Sequence, residues 1–338
     1  MKPETLNRNY KKYSSGFETW DQKVHAETYL LFPDNISSSL SIDETSLSQG
    51  ELYTIITNKK AKGKKGSLVA MIKGTQSKDI IEVLQKISAD KRLTVKEVTL
   101  DMANNMELSM KTVFPNASLV TDRFHVVQLA MEVLQHCRVK ERWAEMDKEN
   151  EAIKQVKEAR KQHKLDLKEY ADNPEKLKEL LENTDESKFA YKQEILENGE
   201  TPKQLLARCR YVLAKKKEYW TEYQQRQAEI LFKRYPNLLS AYNHCLAFRN
   251  IYEELNVPAA RLRFDAWIKD VESIGIKEFN TLANTVTNNL ENILNFFVNR
   301  STNANAESFN SKIKLFRANQ RGVVDTPFFL FRLHKLFA

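Results

Sequence analysis

The sequence has little glycine and little proline, eight of each among 338 residues. This scarcity argues against an all-β sandwich, which needs many turns, and against long disordered linkers. No apolar run approaches the roughly 20 residues that span a bilayer. The N-terminal stretch MKPETLNRNYKKYSS also lacks the apolar region of a secretory signal. We therefore expect no membrane association and a cytoplasmic location.

Cysteine is scarce as well. Cys137, Cys209 and Cys245 are odd in number and too far apart for a zinc knuckle, and isolated thiols agree with a reducing compartment. Basic residues, in contrast, are in excess. The chain has 53 Lys and Arg against 45 Asp and Glu, which gives a net charge of +8 and a pI near 9.1. This excess favours an anionic partner without identifying it.

The first half of the chain alternates between strand-like and helix-like patterns. The predicted strands are 39–45, 51–58, 67–73, 95–101 and 118–122. The predicted helices are 77–90 with Ser77 as N-cap, 105–114 and 124–142. A strand–helix–strand order implies parallel pairing with right-handed crossovers. We therefore predict an α/β fold with a mixed five-stranded sheet, three antiparallel strands followed by two parallel ones.

The rest of the chain has no strand-like alternation. Residues 140–190 mix charges of both signs, which favours long solvated helices or a helical hairpin, and 202–297 are rich enough in aromatic and aliphatic residues for a helical bundle. A last amphipathic helix is predicted at 303–322. The predicted division is an N-terminal segment 1–37 that docks on the sheet, a core 38–142, a helical insertion 143–300 and a final core helix 301–338.

Three acids lie where chemistry is expected. Asp43 and Asp101 end the first and fourth predicted strands, and Glu307 opens the last helix. Ligands of open α/β sheets bind at the carboxyl ends of strands. Three carboxylates can hold two Mg²⁺ or Mn²⁺ ions about 4 Å apart, an arrangement suited to phosphodiester chemistry. Alternatively, Asp43 begins a turn, Asp101 caps a helix, and Glu307 only favours a first helical turn.

Three pieces of the sequence resemble a known family. They are SIDETSLSQGELYTIITNKKAKGKKGSLVAMIKG, VTLDMANNMELSMKTVFPNASLVTDRFHVVQLAMEVL and NANAESFNSKIKLFRANQRG. The chain resembles, over roughly residues 20–325, the bacterial insertion-sequence DDE transposases of the ISL3 type, and within them the ISAon subgroup. The most specific features are a strand ending in Asp, a helix, FPNA, a short strand and D-R-F-H, followed by E-x-x-N-x-x-I-K in the last helix.

The resemblance implies an RNase H-like fold whose catalytic Glu is separated from the second Asp by a large all-α insertion. It implies that Asp43 bridges two metal ions and that Asp101 and Glu307 each complete one site. The strand order predicted from the residues alone, 3-2-1-4-5, agrees because it places the ends of strands 1 and 4 side by side. Glu44 points to the opposite side of an extended strand and is not counted as a ligand.

Other residues match the family pattern without a settled role. Asp122, Arg123 and His125 match D-R-F-H and are interpreted as structural residues or as supports of the metal ligands. The candidate DNA contacts are Lys62, Lys64, Lys65, Asn310, Lys314, Arg317 and Arg321. The alternative for all of these is a solvated surface.

The predicted function is DNA transposition: metal-dependent cleavage at the element ends and strand transfer into target DNA. The alternatives are an RNase H-like structure-specific nuclease and a non-catalytic DNA-binding remnant of a transposase. The partners implied are DNA, other copies of the chain on that DNA, and a separate small DNA-reading protein, because the zinc-ribbon and helix-turn-helix region of the long family members has no counterpart before residue 38. The resemblance also implies a bacterial, nucleoid-associated protein and a C-terminus shorter than that of its relatives.

Overall fold

The computed structural model describes residues 3–47 and 50–338. The chain forms two compact units. The first contains Met1–Gln128, Ile251–Ile268 and Ala283–Ala338, and the second contains Leu129–Asn250 and Lys269–Leu282. The division predicted at residues 37, 142 and 300 follows a different criterion, sequence character, and stays a prediction.

The first unit contains a mixed six-stranded sheet. Its strands are β1 Tyr29–Leu31, β2 Ser39–Ser46, β3 Leu52–Asn58, β4 Leu68–Lys73, β5 Glu97–Leu100 and β6 Ser118–Thr121. The order is β1-β4-β3-β2-β5-β6, antiparallel from β1 to β2 and parallel from β2 to β6. The predicted strands appear in the predicted order. The predicted count of five was wrong, because the N-terminal segment adds a three-residue strand at the edge beside β4, too short for its alternation to be detected.

The described residues form 16 α-helices. They are α1 Pro3–Asn9, α2 Ser77–Gln85, α3 Ala89–Leu93, α4 Asn104–Val113, α5 Arg123–Glu169, α6 Pro174–Glu182, α7 Pro202–Arg208, α8 Arg210–Ala214, α9 Glu222–Arg234, α10 Pro236–Ile251, α11 Val257–Ile274, α12 Lys277–Asn288, α13 Leu290–Leu294, α14 Phe296–Asn299, α15 Ala304–Asn319 and α16 Thr326–Phe337. Shorter helical turns occupy Tyr10–Ser14, Pro33–Asn35, Lys59–Ala61, Glu186–Phe189 and Lys217–Tyr219.

One face of the sheet is covered by α2 and α4. Side chains alternate along a strand, so Leu40 and Ile42 of β2 and Val98 of β5 point to this face. They are fully buried against Ile80, Leu84 and Met110 of the two helices. Ser77 is the first residue of α2, and its predicted cap role was wrong, since Gln76 is the N-cap and makes no side-chain capping bond.

The opposite face is covered by the two ends of the chain. Tyr53 and Ile55 of β3 point to it and share a core with Trp20, with Phe309 of α15, and with α16. Trp20 lies edge-on to Phe331 at 5.3 Å between ring centroids. The prediction that the N-terminal segment docks on the sheet is confirmed.

No strand occurs after Thr121 in the described part of the chain, which confirms the helical character predicted for 143–300. The helix predicted to end at residue 142 instead continues to Glu169 as α5. The reason lies in the sequence: no glycine or proline occurs between Pro115 and Pro174, and alternating charges keep a solvated helix intact.

The second unit is built around buried aliphatic and aromatic residues of α7 to α10. Tyr242 is fully buried between Trp220 and Phe232, with ring centroids 5.6 and 5.4 Å away. The three cysteines are free thiols, two of them buried. Among the described helices, none is both long and apolar enough to cross a membrane.

Candidate active site

Asp43 lies on the sheet face opposite α2 and α4. Its neighbour Ile42 is buried in the core below, so the alternation of β2 turns Asp43 towards α15. The Oδ1 atom accepts the backbone N–H of Glu44 at 2.8 Å, and Oδ2 accepts Asn310 Nδ2 at 2.7 Å. Asp43 does not end its strand as predicted, because β2 extends to Ser46 and pairs with β3 to that point.

Asp101 directly follows β5, the parallel neighbour of β2. Ser41 pairs with Thr99, so Asp43 and Asp101 occupy matching positions two residues further along each strand. Asp101 is not the cap of the next helix, since α4 begins at Asn104 with Ala103 as N-cap. Its Oδ1 instead accepts the N–H of Met102 at 2.6 Å, and Oδ2 remains for other contacts.

Glu307 stands exposed in the first turn of α15, as predicted. Phe309 and Ile313 of this helix are buried against the sheet and fix its position. Burial raises the pKa of Asp43, and the charges of Glu307 and Asp101 raise it further. The Glu44 N–H and the charge of His125 partly oppose this rise. Asp101 and Glu307, from two distant chain segments, are therefore close enough to Asp43 for their charges to raise its pKa.

Asp122 and His125 belong to the same cluster. One ligand atom from each of Asp122, His125 and Glu307 lies within 4.8 Å of the other two. His125 Nδ1 is also 3.7 Å from Asp101 Oδ2. Asp122 is 1% exposed, with Oδ1 accepting the backbone N–H of Asn303 at 3.0 Å and Oδ2 buried without a hydrogen-bond partner.

The sequence interpretation did not foresee this cluster. A signal was available, because a three-residue spacing at the start of a helix places Asp122 and His125 on one side of it, beside the strand next to Asp101. Arg123 turns away, with its guanidinium 5.4 Å from the centroid of the Tyr252 ring.

Asn310 was predicted to contact DNA from an exposed helix face, but it is 6% exposed and bonds Asp43. The other candidate DNA contacts are more accessible. Lys62, Lys64, Lys65, Lys314 and Arg321 are exposed and Arg317 is partly buried. The β3–β4 loop is tied to α15, because Lys312 Nζ donates to the Gly63 carbonyl at 2.8 Å.

A buried polar cluster that the sequence did not indicate lies on the same sheet face. Lys59 Nζ is 3.3 Å from Glu97 Oε1 and 2.7 Å from Thr99 Oγ1. Asn299 and Ser301 also donate to the Glu97 carboxylate. These bonds fasten the segment that enters α15 to the sheet, and so help to position Glu307.

The Glu97 carboxylate and the Lys59 ammonium, which form an ion pair, respond differently to burial. Burial alone would raise the pKa of Glu97, but the donors Ser301 and Asn299 and the charge of Lys59 bring it below its ordinary value. Burial lowers the pKa of Lys59, and Glu97 only partly compensates. We take the ion pair as formed at neutral pH, because Glu97 collects several donors and the Lys59 ammonium lies within reach of three oxygens.

A family model described as Transposase, of the ISL3-type DDE transposases, matches residues 40–197 and 192–333. The chain belongs to this family of insertion-sequence transposases, which act on DNA. Searches of curated proteins and of solved structures found no match.

DDE transposases generally use divalent metal ions, and the residues present fit such ions. The cluster offers carboxylate oxygens from Asp43, Asp101, Asp122 and Glu307, the ligand type preferred by Mg²⁺ and Mn²⁺. The buried Oδ2 of Asp122 has no hydrogen-bond partner, so a cation would satisfy an atom that the protein leaves unpaired.

Proposed function

We propose that this chain is the catalytic transposase of its element, cutting DNA at the element ends and joining the resulting 3′-hydroxyl to target DNA. The proposal includes an RNase H-like core, in agreement with the strand order β4-β3-β2-β5-β6. Asp43, Asp101 and Glu307 would hold two Mg²⁺ or Mn²⁺ ions per site. The observation that carries the proposal is that Asp43 and Asp101 lie at matching positions of two adjacent parallel strands, and that the charges of Asp101 and of Glu307, more than 200 residues further on, raise the pKa of Asp43.

The protein's own groups would mainly position the reactants. Two bound ions would supply a more acidic water and stabilise charge on the leaving oxygen. Asn310 holds the Oδ2 atom of Asp43, which keeps the carboxylate turned towards α15. Asp122 holds the Asn303 N–H, which fixes the start of the helix that bears Glu307. Catalysis would therefore depend on electrostatics and orientation in a preformed site.

His125 favours the ionised form of Asp43. Its charge, when present, lowers the pKa of Asp43 and faces Asp101 Oδ2 across 3.7 Å. Asp122 and His125 also form, with Glu307, a second possible ligand set for one of the ions. We infer that D-R-F-H takes part in the site and is not merely structural.

DNA would be held by basic residues near α15 and the β3–β4 loop, namely the exposed Lys62, Lys64, Lys65, Lys314 and Arg321 and the partly buried Arg317. Their contacts would go to phosphates, so affinity should fall steeply with salt. Assembly of several copies on DNA and cooperation with a separate DNA-reading protein stay predictions, as does membership of the ISAon subgroup.

Joining of a pre-cut end separates this proposal from its alternatives. The purified chain is incubated with Mg²⁺, an intact end and an end already bearing a free 3′-hydroxyl. A transposase cuts the first and joins the second to plasmid DNA, whereas a structure-specific nuclease only cuts. A non-catalytic remnant does neither while still binding DNA.

A further inference from the structure

A small pocket adjoins the acidic cluster. It has a volume of about 360 Å³ and is lined by Asp122, Arg123, Phe124, Val127, Thr302, Ala304 and Glu307. This volume lies within the range of about 300–1,000 Å³ that is typical of small-molecule sites. Two of its residues, Asp122 and Glu307, also belong to the group of possible metal ligands. Whatever enters the pocket lies directly beside the place where a phosphodiester would react.

Phe124 stands out among the residues of its type. The chain has 17 phenylalanines, all in the described part of the chain, and Phe124 alone is exposed, at 59%. Its ring is nearly perpendicular to the ring of His125, with 5.7 Å between centroids, so it lies beside a residue of the candidate site. An exposed ring at this position offers a flat apolar surface to a ligand.

The pocket is lined by apolar side chains, by two carboxylates and by Arg123, whose guanidinium lies over the Tyr252 ring, and this combination favours a planar group. Phe124, Val127 and Ala304 give it an apolar lining, and Thr302 adds a hydroxyl. Asp122 and Glu307 would repel a phosphate that enters without cations. In a DNA substrate, the neutral planar part is the nucleobase, and a base has to leave the stack before it can lie on a protein ring.

We propose that this pocket receives one unpaired nucleobase of the DNA strand being cut, stacked on Phe124. This inference rests on the proposed function, because the reacting phosphate must lie at the acids for the neighbouring base to reach the ring. Capture of the base would hold the strand in a fixed register at the cutting site. Phe124 is thus a binding residue for the substrate and does not touch the reacting atoms.

The first experiment measures cutting of an end duplex by the wild-type chain and by Phe124→Ala, Phe124→Leu and Phe124→Trp. Stacking of a base on an aromatic side chain typically contributes enough binding that its loss slows the reaction about 5- to 100-fold. We expect this loss for Ala, a smaller loss for Leu, which is apolar but not flat, and near-normal cutting for Trp. Leu108→Ala, at an equally exposed position (57%) on the other sheet face, is the matched control and should cut normally.

The second experiment removes the need for base capture. Duplexes are prepared that lack a base at each position next to the cut, one position at a time. The defect of Phe124→Ala should largely disappear at one of these positions. Equal cutting by Phe124→Ala and wild type on the intact duplex, or an equal defect on every duplex, would overturn the proposal. Phe124→Leu keeps the test valid if the Ala variant folds poorly.

A third measurement does not depend on turnover. The adenine analogue 2-aminopurine, placed next to the cut, fluoresces more strongly when it leaves the stack, and Ca²⁺ in place of Mg²⁺ slows cutting. Wild type should raise the fluorescence and Phe124→Ala should not, whereas no rise with wild type at any position would refute base capture. If the proposed function fails instead, wild type neither cuts nor joins with Mg²⁺, whatever the fluorescence shows.

Discussion

The two faces of the sheet are made by the same strands and differ in almost every physical property. On β2, Leu40 and Ile42 face α2 and α4, while Ser41 and Asp43 face the other way. The first face is a closed apolar core. The second combines an apolar core under α16 with a strip of carboxylates and their donors under α15.

The difference between the two faces indicates how the fold tolerates a site that lowers its stability. A carboxylate that loses water without full pairing destabilises the protein, and the raised pKa of Asp43 reflects this cost. The other face offsets this cost by burying aliphatic side chains against α2 and α4. One face can therefore be altered for function while the other holds the strands in register.

The largest expected effect is on catalysis. Asp43→Ala should reduce metal-dependent cutting and joining on the order of a hundredfold or more, because ion binding is worth several kcal/mol in such reactions. Glu44→Ala is the matched control, since Glu44 points to the other face, where it meets Asn105 at 3.5 Å. Asp101→Ala and Glu307→Ala should behave like Asp43→Ala.

DNA binding separates loss of chemistry from loss of substrate. The affinity of Asp43→Ala for an end duplex should be nearly unchanged, because phosphates are bound by Lys and Arg. If Asp43→Ala joins DNA at the wild-type rate, Asp43 has no place in the site. If Glu44→Ala is as inactive as Asp43→Ala, the two faces are not functionally distinct.

The next largest effect is on stability and comes from the apolar face. Leu84→Ala removes a fully buried side chain from α2 and should cost about 2–5 kcal/mol. Hydrogen exchange of the β2 and β5 amides is the appropriate measurement, because a chain with two compact units need not unfold in one step. Surviving Leu84→Ala protein should still depend on Mg²⁺ as wild type does. A changed metal requirement would show that this face shapes the site directly.

A smaller effect is expected from the buried ion pair on the polar face. Lys59→Met leaves Glu97 with its other donors and should cost about 1–3 kcal/mol. It should also slow cutting, because the Asn299–Ser301 segment before Glu307 loses one attachment to the sheet. Lys60→Met, at an exposed position in the same turn, is the control and should be neutral. Equal behaviour of the two variants would argue against a positioning role for Lys59.

The Lys59–Glu97 ion pair also predicts how the stability of the fold depends on pH. The folded-state pKa of Glu97 lies below its ordinary value of 4.5, so its ionised form stabilises the fold above that pH. This contribution is lost as the pH falls through the folded-state pKa. Wild type should therefore be more stable than Glu97→Gln at pH 7, and the gap should narrow below pH 4.5. Thermal unfolding across that range tests this, and a gap that stays constant with pH would contradict it.

The sequence predicted most of the sheet, for identifiable reasons, whereas the role of the three acids stays a prediction. Alternation in β2, β3 and β4 and helical periodicity around β5 are local signals, so the order of the last five strands followed from them. Asp43, Asp101 and Glu307 were chosen because their positions relative to these elements are readable in one dimension.

Other features depend on contacts that no local pattern encodes. Strand β1 forms by antiparallel pairing with β4 at the edge of the sheet, a contact between segments about 40 residues apart in the chain. The roles of Lys59 and Asn310 depend on partners 38 and 267 residues away, Glu97 and Asp43. His125 was interpreted as a structural or supporting residue, because only folding brings its ring close to Asp101 and Glu307.

The smallest expected effect tests directly whether the polar face is destabilised for function. Because the folded-state pKa of Asp43 is raised, its ionised form at neutral pH costs stability that a neutral side chain would not. Asp43→Asn should therefore raise the melting temperature slightly in EDTA at pH 7, while abolishing activity.

The geometry permits this substitution, since the buried Oδ1 of Asn310 has no partner and can accept a hydrogen bond from the new amide once the Asn310 side chain rotates. Adding Mg²⁺ should stabilise wild type more than the variant and reverse the order, because ions neutralise the acids that repel one another. The increase in melting temperature that Asp43→Asn gives in EDTA should also become smaller as the pH is lowered, because wild-type Asp43 then becomes protonated. If Asp43→Asn is less stable than wild type in EDTA at pH 7, the acidic strip is not a cost to the fold, and the two faces contribute to stability alike.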